Sequence, residues 1–255
     1  GHIIACSEFL RQILIPHHGV PPDKVQRIFN GYHGPRAEDV PETKAQAQEK
    51  LALDPSRRYV LTICRLMNWK RVDGILHALV GLPADVHLLV AGDGDMEGPW
   101  SALAEELGLA ERATFLGNVP HSEIPMYVRA ADVFVLNSEY EGLSHTLIEV
   151  QTLGTAAVAS AVCGNPEVIT DGETGRLVSP DEPEALARVL AETLEDLRDL
   201  LARAPSRPRG TTSLAALPEP EPAPKKSWMN PWPLLVLSVF ILALSTAGML
   251  YVYPW

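Results

Sequence analysis

The sequence predicts an α/β fold: a doubly wound, Rossmann-like parallel sheet followed by a C-terminal transmembrane helix. Three observations predict it. Apolar runs alternate with segments of helical periodicity six times between residues 58 and 178, the pattern of a parallel sheet with helices on both faces. Runs such as Val133-Phe-Val-Leu136 are continuous, as strands buried on both faces require. Finally, about 20 residues from Leu234 to Tyr253 carry no charge; at about 1.5 Å each they span roughly 30 Å, the thickness of bilayer hydrocarbon.

The elements follow in order. His2–Cys6 reads as a strand, with Ser7 capping a short helix over Glu8–Leu14. Val25–Phe29 is a second strand, and Asn30-Gly31 a turn. The polar, proline-bearing stretch from Gly34 to Glu42 marks a domain boundary near residue 35, and His17, His18 and His33 read as solvated loop residues. A helix is expected over Glu42–Leu53, then strand Tyr59–Cys64, helix Val72–Leu82 and strand Val86–Ala91. Gly92-Asp-Gly-Asp95 is a tight turn; the dinucleotide fingerprint it suggests is incomplete and follows the wrong strand. Helix Trp100–Gly108, strand Ala113–Leu116 and a helix from a Ser122 cap to Ala130 come next. After Gly154 come strand Ala156–Ala159, an Asn165 cap with Pro166 and Glu167 in the first turn, and turn Asp171–Gly175. Strand Arg176–Val178 leads to an amphipathic helix over Asp181–Leu201, apolar at Leu186, Val189, Leu190, Leu194, Leu197 and Leu201.

The chemistry concentrates between Ser138 and Gly154. Glu141-Gly142 fall in a loop between strand and helix, where Gly142 permits a sharp turn and close approach of a ligand. The amides of Leu143, Ser144 and His145 are then expected at a helix N-terminus, which favours an anion such as phosphate. Glu149 lies about 10 Å along the helix from Gly142, the span of a pyrophosphate between a sugar and a ribose. One ligand can therefore set hexose hydroxyls on Glu141, phosphates on the amides and ribose hydroxyls on Glu149. The alternative is a loop acid and a solvated helix acid. Arg65 and Lys70 follow a strand's carboxyl end, where a guanidinium and an ammonium suit a pyrophosphate clamp; alone they read equally as exposed loop cations.

Glu141 through Glu149 resembles the E-x7-E motif of the family-4 retaining glycosyltransferases (group 1), which have the GT-B fold. The resemblance runs from Gly1 to about Ala204 and covers the C-terminal, donor-binding half and only the tail of the acceptor half. It implies residues 1–35 as the remnant of the acceptor domain, with Asn30-Gly31 at the junction, and residues 36–204 as the nucleotide-sugar-binding domain. Arg65 and Lys70 match the cations that hold the donor diphosphate. Asn118 and Val119 match a loop that contacts the base. The implied activity is transfer of a sugar from a UDP-, GDP- or ADP-sugar to an acceptor hydroxyl of a glycan or lipid-linked molecule, as in polysaccharide biosynthesis. Catalytic roles fall on Glu141, Arg65 and Lys70, and substrate binding on Glu149, Gly142, Leu143, Ser144, Asn118 and Val119. No metal or other cofactor is expected. Two departures stand out: Cys64 replaces the usual Gly before the Arg, and Arg71 replaces the Gly after the Lys.

Composition sets further bounds. A net charge of −11 argues against a nucleic-acid surface but not against a local cationic pocket. Cys6, Cys64 and Cys163 lack metal-ligand spacing and suit a reducing compartment. No secretory signal opens the chain, which starts at Gly1 in an apolar run and reads as a fragment of limited activity by itself. Residues 205–231 form a proline-rich linker, and 232–253 the span, with aromatic residues at both ends. Lys225 and Lys226 precede the span, which places the domain on the cytoplasmic side of an inner membrane. The competing class is a non-catalytic, membrane-tethered sugar-nucleotide-binding or scaffold module; an NAD-dependent enzyme is a more distant alternative.

Overall fold

The computed structural model describes residues 2–32, 40–41 and 43–203. Six strands, β3 (Arg58–Ile63), β4 (Val86–Ala91), β5 (Ala113–Gly117), β6 (Val133–Leu136), β7 (Ala156–Ser160) and β8 (Arg176–Val178), form one sheet in the order β5-β4-β3-β6-β7-β8. Every pairing in it is parallel, as the alternating sequence predicts. The chain winds outward from β3 to one edge, then returns to β6 and winds to the other. Between β3 and β6 the connections diverge, leaving a crevice at the strands' carboxyl ends.

Alternate residues along the strands feed two cores. Val60, Val133, Val135 and Val158 meet α3 (Val72–Val80), α4 (Glu97–Glu106) and α7 (Pro183–Arg203) on one face. Tyr59, Leu61, Phe134, Leu136 and Ala157 meet α5 (Ile124–Ala130) and α6 (His145–Leu153) on the other. Both faces are covered, so the central strands carry apolar residues on both sides, as in Val133–Leu136. α2 (Lys44–Lys50) packs on α5, and its Thr43–Gln46 capping box defines its start. Near the N-terminus, β1 (Ile3–Ala5), α1 (Glu8–Leu14) and β2 (Val25–Arg27) make a small parallel βαβ unit, with Ser7 capping α1 as expected.

Several local expectations are corrected. α5 starts at Ile124, not after a Ser122 cap, because Pro125 fits only the first turn and fixes the start around itself. Asn165 caps no helix: it is buried in a single 3-10 turn, and its side-chain amide donates to the Ser160 carbonyl at 3.0 Å. α4 begins at Glu97, with Pro99 in its first turn. His18 is partly buried, its Nε2 without a partner among the described residues.

The Gly92–Asp95 turn has a packing role. Gly92 and Gly94 take φ of 128° and 148°, and a Cβ on Gly92 would lie 1.9 Å from the Cys64 carbonyl oxygen. The Leu66 amide donates to the Asp93 carbonyl at 2.6 Å. The turn thus supports the loop that carries Arg65 and Lys70. The boundary near residue 35, the linker and the membrane span lie outside the described residues. Among the described residues no helix is long and apolar enough to cross a membrane.

Candidate functional site

The loops after β3 and β6 meet over the crevice. Residues Asn68–Lys70 form one 3-10 turn after β3. Lys70 Nζ lies 2.5 Å from Glu141 Oε1, and Ser138 Oγ donates to the same oxygen at 2.8 Å. The two charged side chains keep only 18 % and 13 % of their exposure, so the pair is poorly screened. Arg65, five residues before Lys70, is exposed. The Trp69 carbonyl accepts from the Glu139 amide at 2.7 Å, joining the loops through the backbone.

α6 begins beside Glu141. Ser144 is its N-cap, and Ser144 Oγ accepts from the Leu147 amide at 3.2 Å. The helix starts at His145, so the amide of Leu143 lies one residue outside its N-terminus. The amides of His145 and Thr146 open the first turn, directed away from the helix body. Gly142 lies in a bend, as expected, but has no positive φ. Its requirement is proximity: a Cβ there would sit 3.3 Å from Leu10 Cδ1 of α1 and 3.8 Å from Cys6 Sγ. Gly164 is tighter still, since its Cβ would lie 2.1 Å from the Gly142 carbonyl oxygen.

Glu149 sits farther along α6, buried, with Oε1 lacking a partner among the described residues. Burial raises its pKa, and His121 opposes the rise. Tyr32 also feels Glu149: burial and then that carboxylate raise the phenol's pKa. His121 belongs to the loop after β5, so this loop reaches the Glu149 end of the site. In that loop Asn118 is exposed, and Val119 packs against the core under α5 and α6.

Some neighbours carry no motif signal. Ser138 lies three residues from Glu141 in the same loop, whereas Tyr32 and His121 come from two other segments and reach the Glu149 end through the fold. Glu167 is another: its carboxylate accepts from the Glu8 and Phe9 amides at 2.7 and 2.8 Å, anchoring α1 against the site. Phe9 meets Tyr140 edge-on, with ring centroids 6.2 Å apart. The three cysteines, dispersed in sequence, also gather here. Cys6 lies by Gly142; Cys64 feels Lys70 and Glu141, and Cys163 feels Glu141. Burial pushes the Cys64 and Cys163 thiols up to about 11. Among the described residues no group of three or more His, Cys, Asp or Glu side chains is placed to hold a metal ion.

A six-stranded parallel sheet of this order, with a cation–carboxylate pair and a helix start at its switch point, defines a Rossmann-like α/β domain. Residues 43–206 match the family model described as glycosyl transferases group 1. The chain belongs to that family. It is 35 % identical over 195 residues to the D-inositol 3-phosphate glycosyltransferase of Mycolicibacterium gilvum, covering 74 % of this chain and 43 % of that protein. The enzyme of the same name from Mycobacterium tuberculosis strain F11 is 33 % identical over 215 residues, covering 82 % of this chain and 42 % of its own length. The chain thus spans less than half the length of these curated relatives. Among solved structures, Anabaena Alr3699/HepE in complex with UDP-glucose superposes with a TM-score of 0.69 at 24 % identity, over 77 % of this chain and 55 % of that one. Sucrose-phosphate synthase from Thermosynechococcus elongatus gives a TM-score of 0.66 at 27 % identity, over 76 % and 49 %.

Proposed function

We propose that the chain is the donor-binding half of a retaining glycosyltransferase, moving a sugar from a UDP-, GDP- or ADP-sugar to an acceptor hydroxyl. One observation carries this reading: the Lys70–Glu141 pair lies at the switch point beside the start of α6, with the buried carboxylate of Glu149, whose Oε1 has no partner among the described residues, farther along that helix. Arg65, Lys70 and the α6 amides neutralise charge growing on the departing diphosphate, the task a metal performs elsewhere. Glu141 leaves Lys70 for the hexose hydroxyls as the phosphates take the ammonium. Glu149 accepts from the ribose, and Asn118 and Val119 border the base. The UDP-glucose bound in Alr3699/HepE supports a nucleotide sugar as ligand. The acceptor is a glycan or a lipid-linked hydroxyl.

Calorimetric titration of the whole chain with UDP, GDP, ADP and their glucose conjugates tests the reading. One nucleotide series is expected to bind, and Arg65→Ala to weaken it by about 1.5–3 kcal/mol, the range for hydrogen bonds to charged groups. The melting temperature of Arg65→Ala is expected to stay put, because the side chain is exposed. Absence of binding across the panel overturns the reading.

The same proposal puts residues 232–253 across an inner membrane and the domain in the cytoplasm, where the basic flank of Lys225 and Lys226 belongs. External protease is expected to leave the domain intact in sealed spheroplasts. Its removal reverses the orientation, and a protein that stays in solution after detergent-free lysis has no span.

A further inference from the structure

We infer that Arg71 is a positioning residue that holds Lys70 in place before a donor arrives; the inference rests on the donor reading above. Arg71 takes φ 48° and ψ 44°, left-handed backbone that glycine adopts freely and a long side chain does not. An arginine at such a position needs compensation from its surroundings. Its guanidinium donates to Glu139 Oε1 at 2.7 Å and to Asp181 Oδ1 at 2.9 Å, and lies 3.4 Å from Asp73 Oδ2. Its carbonyl accepts from Asn137 Nδ2 at 3.2 Å. Burial works against the charge, yet the carboxylates of Glu139 and Asp181 outweigh it, and the pKa rises.

The three carboxylates belong to different segments. Glu139 is two residues from Glu141, Asp181 lies between β8 and α7, and Asp73 opens α3. Arg71 therefore ties its own loop to the loop after β6 and to the entrance of α7. Lys70 is the adjacent residue, so its stem is fixed from one side by this fork and from the other by the Trp69–Glu139 backbone bond. A lysine has four rotatable bonds, and its point charge positions poorly unless the backbone beneath it is fixed. Arg71 supplies that fixation in advance, sparing the donor the cost of ordering the loop.

Hydrogen exchange on the free chain, with nucleotide titration, tests the inference. Arg71→Gly removes the fork while suiting the backbone. Faster exchange is expected at the Lys70 and Glu139 amides by about tenfold or more, with β3, β4 and α3 unchanged. Arg71→Lys, which keeps the charge on a compact ammonium but loses the planar guanidinium and its third contact at Asp73, is expected to fall between. For whichever of UDP, GDP and ADP binds the native chain, Arg71→Gly is expected to weaken binding about tenfold. In a Lys70→Ala background the same change is expected to add less than about twofold, because Arg71 acts through Lys70. Equal losses in both backgrounds, or unchanged exchange at Lys70 and Glu139, overturn the inference. If no nucleotide binds the native chain the donor reading fails and the positioning role with it, while the exchange result still separates a structural tie from none.

Discussion

Lys70→Ala is expected to destabilise the ligand-free chain by about 2–3 kcal/mol, and adding Glu141→Gln to restore part of the loss. Removing one partner of a fully buried ion pair costs roughly 3–5 kcal/mol, because the other charge stays buried and unpaired. The residual exposure of 18 % and 13 % places this pair below that range. With Lys70 gone, Glu141 keeps the Ser138 hydroxyl as its one side-chain donor among the described residues, and that is too little to hold a carboxylate out of water. Glutamine removes the charge, so Lys70→Ala/Glu141→Gln melts above Lys70→Ala. For a domain of this size the single change lowers the melting temperature by about 5–10 °C. A double variant no more stable than Lys70→Ala denies that the two side chains form a coupled pair. Denaturant titration of the four proteins gives the coupling energy directly.

The second large effect has opposite signs in stability and in binding. Glu149→Gln is expected to stabilise the free chain at pH 7, because it removes a charge that burial penalises, and to weaken nucleoside diphosphate binding about tenfold. The pKa of Glu149 is raised by burial in the folded chain. A raised folded pKa adds stability that is complete below the unfolded value and lost as pH rises through the folded one. Native Glu149 is therefore least costly in acid, where it is protonated like its amide counterpart, and most costly at neutral pH. The stability gap between Glu149→Gln and native is expected to open as pH rises above the ordinary glutamate range and to close in acid. Glu141→Gln, placed at the sugar end, is expected to spare UDP, GDP or ADP and to weaken the glucose conjugates. A bare nucleotide lost equally in both variants reverses the assignment of the two ends.

Much of this was legible in the chain. The strands β3 to β8 announced themselves because burial on both faces leaves unbroken apolar runs, and the E-x7-E spacing survived intact as one strand, loop and helix. Candidates carried on a single backbone segment could be named from the chain: the fold brings Lys70 and Glu141 together and puts Glu149 on α6, while Arg65 stays exposed. What escaped depended on side-chain direction within the loop or on segments distant in sequence. Ser138 reads as an ordinary loop serine until the fold turns it onto Glu141. Tyr32 and His121 lie far from Glu149 in sequence, and β3, β4 and β5 separate them from each other along the chain. Gly142 was noticed for conformational freedom, whereas its need is room beside Leu10 and Cys6. Arg71 was visible only as a departure from a glycine, and the left-handed backbone behind that glycine is a property of coordinates.

The ring of thiols around Glu141 makes the site a poor target for covalent labels. Only the thiolate attacks maleimides and haloacetamides, and a thiol pushed up to about 11 is ionised to about one part in ten thousand at pH 7, against a few per cent for an ordinary cysteine. Cys64 and Cys163 thus lag an exposed thiol by roughly two orders of magnitude, and Cys6, raised in the same direction by burial, lags too. A cysteine introduced on an exposed helix face can therefore carry a fluorophore without first deleting the native three. Distance measurements between such a probe and a bound nucleotide then become practical in a protein whose own cysteines stay silent.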